Sequence, residues 1–263
     1  MSVQELFELK RQVAVVTGGA GHLGSAISEA LAEAGADLYI ASRNKSKCEK
    51  LAKALRRKHS TNAVALSLDI GSARSVRDCF SKITDKAGKI DVLVNNAAYS
   101  PSIRLEDGSE EDWLKGIDGT INGVFRCTRT VLPIMIQRKY GSIINIASMY
   151  GVVSPDPSIY GTSGLDNPPS YGAGKAAVIQ FTRYLACHYA KMGIRANAIS
   201  PGPFPDPEVQ KKREFISNLK KKVPMGRIGQ PSELKGVVVF LASKASSYVT
   251  GVNIPVDGGW TAW

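Results

Sequence analysis

Three side chains in this sequence have the types and spacing needed to move a proton to or from an oxygen: Ser148, Tyr171 and Lys175. A free tyrosine, with a pKa of about 10, is too weak an acid for that work near neutral pH. In Tyr171-Gly-Ala-Gly-Lys175 a lysine follows four residues on, which on a helix puts ring and amine on one face, one turn apart. An ammonium there favours the phenolate and draws the tyrosine toward the working range. Ser148, on a strand-like run upstream, can hold a substrate oxygen by hydrogen bond. Together they form a proton-transfer device for a C–OH/C=O pair. A Tyr/Lys pair at this spacing also occurs on ordinary exposed helices, so its meaning depends on the elements that position it.

Those elements alternate. Continuous apolar runs at 13–17, 38–41, 63–68, 90–94, 142–147, 195–199 and 251–256 read as strands. Helical stretches at 23–34, about 45–58, 73–86, 110–137, 171–191 and 233–243 separate them, and 203–230 reads as largely irregular and basic. Apolar strands alternating with helices predict an α/β fold, a Rossmann-like doubly wound parallel sheet of about seven strands with helices on both faces. Nothing divides the chain, so a single domain over 1–263 is expected.

The first strand runs into Thr17-Gly-Gly-Ala-Gly-His-Leu-Gly24 and then a helix. Glycines in that position permit a tight turn and close backbone approach to a pyrophosphate, and the helix N-terminus supplies amides and dipole to the phosphates. The second strand ends Ala41-Ser42-Arg43-Asn44, with no carboxylate to repel a ribose 2′-phosphate and an arginine that can pair with one.

Bulk properties narrow the function classes. The net charge of +11 rests largely on clusters at 45–58 and 211–222, neither interleaved with stacking aromatics, so nucleic-acid binding is not expected. No apolar stretch reaches membrane-spanning length, and Glu5, Glu8, Lys10 and Arg11 leave no room for a signal peptide at the start. Cys48, Cys79, Cys127 and Cys187 form neither a metal spacing nor a disulfide framework; no metal and a cytoplasmic location are expected.

Taken together, the sequence resembles the short-chain dehydrogenase/reductase family over nearly all its length. The glycine loop, Asp69-Ile70, Asn95-Asn96-Ala97-Ala98, Ser148 with Tyr171 and Lys175, Asn197-Ala-Ile-Ser-Pro201-Gly202 and Val256-Asp257-Gly258-Gly259 each match a family signature. The resemblance implies hydride transfer between a nicotinamide and a substrate carbon. Tyr171 would give or take the hydroxyl proton, Lys175 would lower its pKa and bond the nicotinamide ribose, and Ser148 would orient the substrate oxygen. It implies cofactor contacts from Gly18, Gly19, His22, Leu23 and Gly24 at the phosphates, and from Ser42 and Arg43 at the adenosine ribose. It implies others from Asp69 and Ile70 at the adenine, from Asn96, Ala97 and Ala98, from Tyr171 and Lys175, and from Pro201, Gly202 and Phe204. NADP(H) is the expected cofactor, with NAD(H) as a second possibility.

Four features depart from the family pattern. His22 stands at a glycine of the loop, either as a donor to phosphate or turned outward behind Gly21. Thr120 replaces a catalytic asparagine. Ser148 and Tyr171 lie 23 positions apart, so about ten extra residues fall within 150–169, a loop expected to form part of the substrate wall. Asp206 stands where relatives place a threonine. By resemblance 203–230 is a lid and the assembly a homotetramer built on the helix after Tyr171 and the one with Val124 and Phe125. The lid's cations point to an anionic sugar, polyol or sugar-acid substrate. A 3-oxoacyl-carrier-protein reductase is one alternative; a regulatory or scaffold protein that binds dinucleotide without turnover is the other.

Overall fold

A computed structural model describes residues 1–263. Seven parallel strands form one sheet in the order β3-β2-β1-β4-β5-β6-β7. They are β1 (Val13–Thr17), β2 (Asp37–Ser42), β3 (Ala63–Ser67), β4 (Val92–Asn95), β5 (Gly141–Ile146), β6 (Ile194–Pro201) and β7 (Asn253–Val256). Every residue of β1, β4 and β5 is buried, as expected of central strands covered on both faces.

A short helix, α1 (Val3–Phe7), precedes β1, and two cores sandwich the sheet. On one face, Ile27 and Leu31 of α2 (His22–Glu33), Leu55 of α3 (Lys45–His59) and Val238 and Leu241 of α9 (Lys235–Ala242) pack on the strands. On the other lie Phe80 and Ile83 of α4 (Ala73–Ala87), Val131 and Met135 of α6 (Gly123–Arg138) and Leu185 of α7 (Pro169–Tyr189). Strand order reverses between β1 and β4, so their carboxyl ends open a crevice with no crossover above it. No helix is long and apolar enough to cross a membrane.

Two regions depart from the sequence expectation. The long helix at 110–137 is broken: α5 (Glu110–Ile117) gives way to a π-helical turn, Asp118–Asn122, before α6 resumes. Thr120 Oγ1 donates back to the Gly116 carbonyl at 2.8 Å, a bond that competes with the regular ladder. Gly119 lets the Tyr99 carbonyl come so close that a Cβ would lie 2.0 Å from it. Residues 213–222, read as irregular, form a helix, α8 (Arg213–Lys222), because Phe215 and Leu219 sit one turn apart and are buried together. They join Met149, Ile159, Val223, Ile228 and Trp260 in a third apolar cluster set apart from the sheet cores.

Candidate active site

The crevice at the β1–β4 switch point holds a cavity of about 340 Å³. Asn96 builds it: its Nδ2 donates to the Thr17 and Gly18 carbonyls at 3.0 and 3.1 Å. Thr17 Oγ1 accepts from the Asn96 and Ala97 amides, both at 3.0 Å. The ends of β1 and β4 are thereby latched with the glycine loop between them. Gly18 has φ +62°, and a Cβ on Gly24 would fall 2.1 Å from the Gly18 carbonyl oxygen. The N-cap of α2 is Gly21, which has no side chain to occupy the leading amides. His22 lines the cavity, and its Nε2 is buried without a partner. An uncapped helix terminus, an unsatisfied imidazole nitrogen and a glycine cradle fit a dinucleotide pyrophosphate.

Eleven of the residues expected to contact cofactor line this cavity: Gly18, His22, Leu23, Gly24, Ser42, Arg43, Asp69, Ile70, Asn96, Ala97 and Ala98. Gly19 does not; its α-carbon faces Ile40 and Ser28 beneath the loop. Phe204 does not either. It packs against Gly229 and lines a separate cavity of about 530 Å³ with Arg227 and Glu233. Pro201 ends β6, and Gly202, pressed against Asp257, continues its ladder to Val256. Gly21, Leu68 and Tyr99 also line the dinucleotide cavity and were not anticipated. Leu68 and Tyr99 directly neighbour recognised motifs, and that adjacency is the signal that could have found them.

The residues expected to transfer protons converge from two elements. Ser148 follows β5 in extended backbone, and its hydroxyl accepts from the Tyr150 amide at 3.1 Å. Tyr171 opens α7, and Lys175 lies one turn on, its Nζ 5.6 Å from the Tyr171 ring centroid. That amine is buried and donates to the Ile146 carbonyl, the last of β5, at 2.6 Å. Burial lowers the Lys175 pKa to about 8. Burial also pushes the Tyr171 phenol up, and the adjacent Ser148 hydroxyl opposes that shift. The expectation that Lys175 draws Tyr171 down is therefore not met by the protein alone: desolvation moves both groups toward neutrality. In this frame the Tyr171 phenol keeps its proton at neutral pH, beside the Ser148 hydroxyl.

Thr120 has a definite place. Its hydroxyl is committed to Gly116, and a Cβ on Gly174 would lie 1.9 Å from Thr120 Oγ1. The π turn thus packs hard against α7 one residue before Lys175, so Thr120 bears directly on the lysine's helix. The Asp206 carboxylate accepts from the Glu208 and Val209 amides and caps the short turn that leads to α8.

The 150–169 loop leans on α8 and forms a cap with it. The Tyr160 and Phe215 rings stack at 5.7 Å and 11°. Thr162 donates to Glu214 at 2.7 Å, Asn218 to the Ile159 carbonyl at 3.3 Å, and Lys222 pairs with Asp156 at 2.7 Å. Lys211 is paired with Glu208, whereas Arg213, Lys220 and Lys221 have no acidic partner.

A doubly wound sheet with a dinucleotide cleft at its switch point, and a Ser-Tyr-Lys set at the end of the neighbouring strand, defines a class of nicotinamide-dependent oxidoreductases. The chain belongs to the short-chain dehydrogenase/reductase family: residues 18–261 match the family model described as Enoyl-(Acyl carrier protein) reductase. It is 37% identical to a galactitol 2-dehydrogenase of Rhizobium johnstonii over the full length of both chains. It is 35% identical to the 3-oxoacyl-[acyl-carrier-protein] reductase FabG of Thermotoga maritima, over 95% of this chain and 98% of that one. The crystal structure of a gluconate 5-dehydrogenase from Burkholderia cenocepacia, in complex with NADP and tartrate, superposes with a TM-score of 0.90 at 32% identity, covering both chains fully.

Proposed function

We propose that this chain is an NADP(H)-dependent oxidoreductase that interconverts a ketone and a secondary alcohol on a polar, anionic sugar, polyol or sugar acid. The observation that carries this reading is the Ser148–Tyr171–Lys175 set at the strand ends beside a cleft with Ser42 and Arg43 in its wall. The nicotinamide supplies or accepts the hydride; the protein's own work is on the oxygen. Ser148 holds it, Tyr171 transfers its proton to the oxygen as the carbonyl becomes an alcohol, and in oxidation the proton returns. Buried Lys175 orients the first turn of α7 against β5. The galactitol and gluconate relatives support a polyhydroxylated substrate, and the gluconate relative's NADP complex supports the cofactor. The unpaired cations of α8 support an anion.

A second reading, 3-oxoacyl-carrier-protein reductase, is favoured by the Thermotoga maritima relative and by the same basic helix, which suits an acidic carrier. Assembly as a homotetramer of single-domain subunits, in the cytoplasm, belongs to the main reading. Phe125, Phe181 and Tyr184 run in a row of ring contacts at 6.2 and 6.4 Å, and Phe125 and Tyr184 are each nearly half exposed.

The test is nicotinamide turnover by the purified protein with sugar acids, polyols, ketoses and 3-oxoacyl thioesters, each with both cofactors. Fastest turnover on a sugar acid or ketose with NADP(H), and loss of the cofactor preference in Arg43→Ala, is expected. Equal or better efficiency with NAD(H) in the unmutated protein overturns the cofactor assignment. Fastest turnover on acyl thioesters selects the second reading.

A further inference from the structure

The dinucleotide cavity continues past Arg43 into a second hollow of about 540 Å³, and Tyr99 lines both. Arg43 is exposed and has no ion pair. A free guanidinium on so long a side chain samples many rotamers, and ordering it on a ligand costs free energy. What limits Arg43 is the Tyr99 ring, whose centroid lies 5.7 Å from the guanidinium carbon. Tyr99 is itself fixed. Its hydroxyl donates to Asp118 Oδ2 at 2.6 Å, and its amide donates to the Gly119 carbonyl at 3.1 Å. Burial first, and the Asp118 carboxylate second, push its phenol up to about 12, so it remains a donor. Asp118 is in turn ion-paired with Arg126, which also donates to the Ile70 carbonyl at 3.1 Å. With its charge matched by Arg126, Asp118 does not draw Arg43 away.

We propose that Tyr99 is a specificity-determining residue for the cofactor: its ring is a shelf that holds Arg43 ready to pair with a phosphate on the adenosine ribose, and Asp118 holds the shelf. This rests on the NADP(H) reading. The competing role for the same side chain is a wall for the adenine, which serves phosphorylated and unphosphorylated cofactors alike. The two roles separate in a calorimetric titration of the purified protein with adenosine 2′,5′-bisphosphate and with 5′-AMP, which isolate the 2′-phosphate from hydride transfer.

The unmutated protein binds the bisphosphate more tightly. Tyr99→Ala weakens the bisphosphate by about five- to tenfold and 5′-AMP by less than about twofold. Tyr99→Phe keeps the ring and loses the Asp118 bond, so it falls between, at about two- to threefold. Tyr99→Phe is also the variant that preserves packing should the alanine variant fail to fold. If either variant weakens both probes equally, or leaves the bisphosphate unchanged, Tyr99 does not set specificity. Equal affinity of the unmutated protein for the two probes overturns the NADP(H) reading and the shelf with it.

Discussion

The dinucleotide cleft and the cap formed by the 150–169 loop and α8 are built on different principles. The cleft is made of backbone held by short-range, sheet-anchored contacts: Asn96 latching two strand ends, glycines permitting close approach, a helix terminus left uncapped. The cap is made of side chains from two segments that meet through the Tyr160–Phe215 stack, the Lys222–Asp156 pair and an apolar cluster off the sheet that Trp260 also joins. The first is held by the sheet and the glycine loop; the second is held by side-chain packing off the sheet. The Ser148–Tyr171–Lys175 set sits at the seam, where Lys175 is tied to β5 and Ser148 precedes the cap's first turn.

The sharpest test of that division acts at the seam. Tyr171→Phe keeps the ring and removes only the transferable proton. Turnover is expected to fall by about 10²–10⁴-fold, the span usual for a general acid or base. Dissociation constants for the dinucleotide, read by fluorescence titration, are expected to stay within about twofold. Turnover within tenfold of the unmutated protein would remove Tyr171 from its role. Intact turnover with poor cofactor binding would move it into the cleft.

How much of each region was legible in the sequence follows the same line. The cleft was readable because backbone function leaves compulsory residue types: glycines at Gly18 and Gly24, the amide of Asn96, the absence of an acid after β2. Gly19 and Phe204, expected from the same motifs, lie outside the lining of this cavity because Gly19 faces Ile40 and Ser28 and Phe204 packs on Gly229. The cap was not readable in the same way. Its helix, α8, hides two buried residues, Phe215 and Leu219, among cations, and its packing partner lies in the inserted loop some fifty residues earlier, a pairing no local pattern records. The break in the 110–137 helix was equally silent, since it depends on Thr120 meeting Gly174 and on Gly119 meeting Tyr99. For Tyr171 and Lys175 the spacing in sequence suggests a charge effect, whereas burial is the leading influence on both groups in the fold.

If the cap is a separate body, damage within it should spare the cleft. Phe215→Ala removes the stacked ring and most of the apolar bridge, a change worth about 3–5 kcal/mol when a buried phenylalanine is truncated. Since the loss is local, we expect faster proteolytic nicking within 150–169 and 203–230 and a kcat/KM about tenfold lower. Dinucleotide affinity should change by less than about twofold. A matching loss of dinucleotide affinity would show that the two regions are one unit.

The smallest expected effect concerns the charge carried by the cap. Of the cations at 211–222, Lys211 and Lys222 are already matched by Glu208 and Asp156, so Lys222 belongs to the cap's fabric and its removal would confound structure with electrostatics. Lys220 and Lys221 are exposed and unpaired, and they can raise the local concentration of an anionic substrate without touching it. Such long-range attraction is screened over about 8 Å at physiological ionic strength. The paired change Lys220→Gln/Lys221→Gln should therefore raise KM by only about two- to threefold at low salt, leave kcat alone and flatten the dependence of kcat/KM on salt. The Lys222→Gln variant should instead resemble a mild form of Phe215→Ala, with nicking of the cap and little change in salt dependence. A KM indifferent to both salt and the double substitution would make α8 a solvated surface, and the anionic substrate would lose the support that the cap gives it.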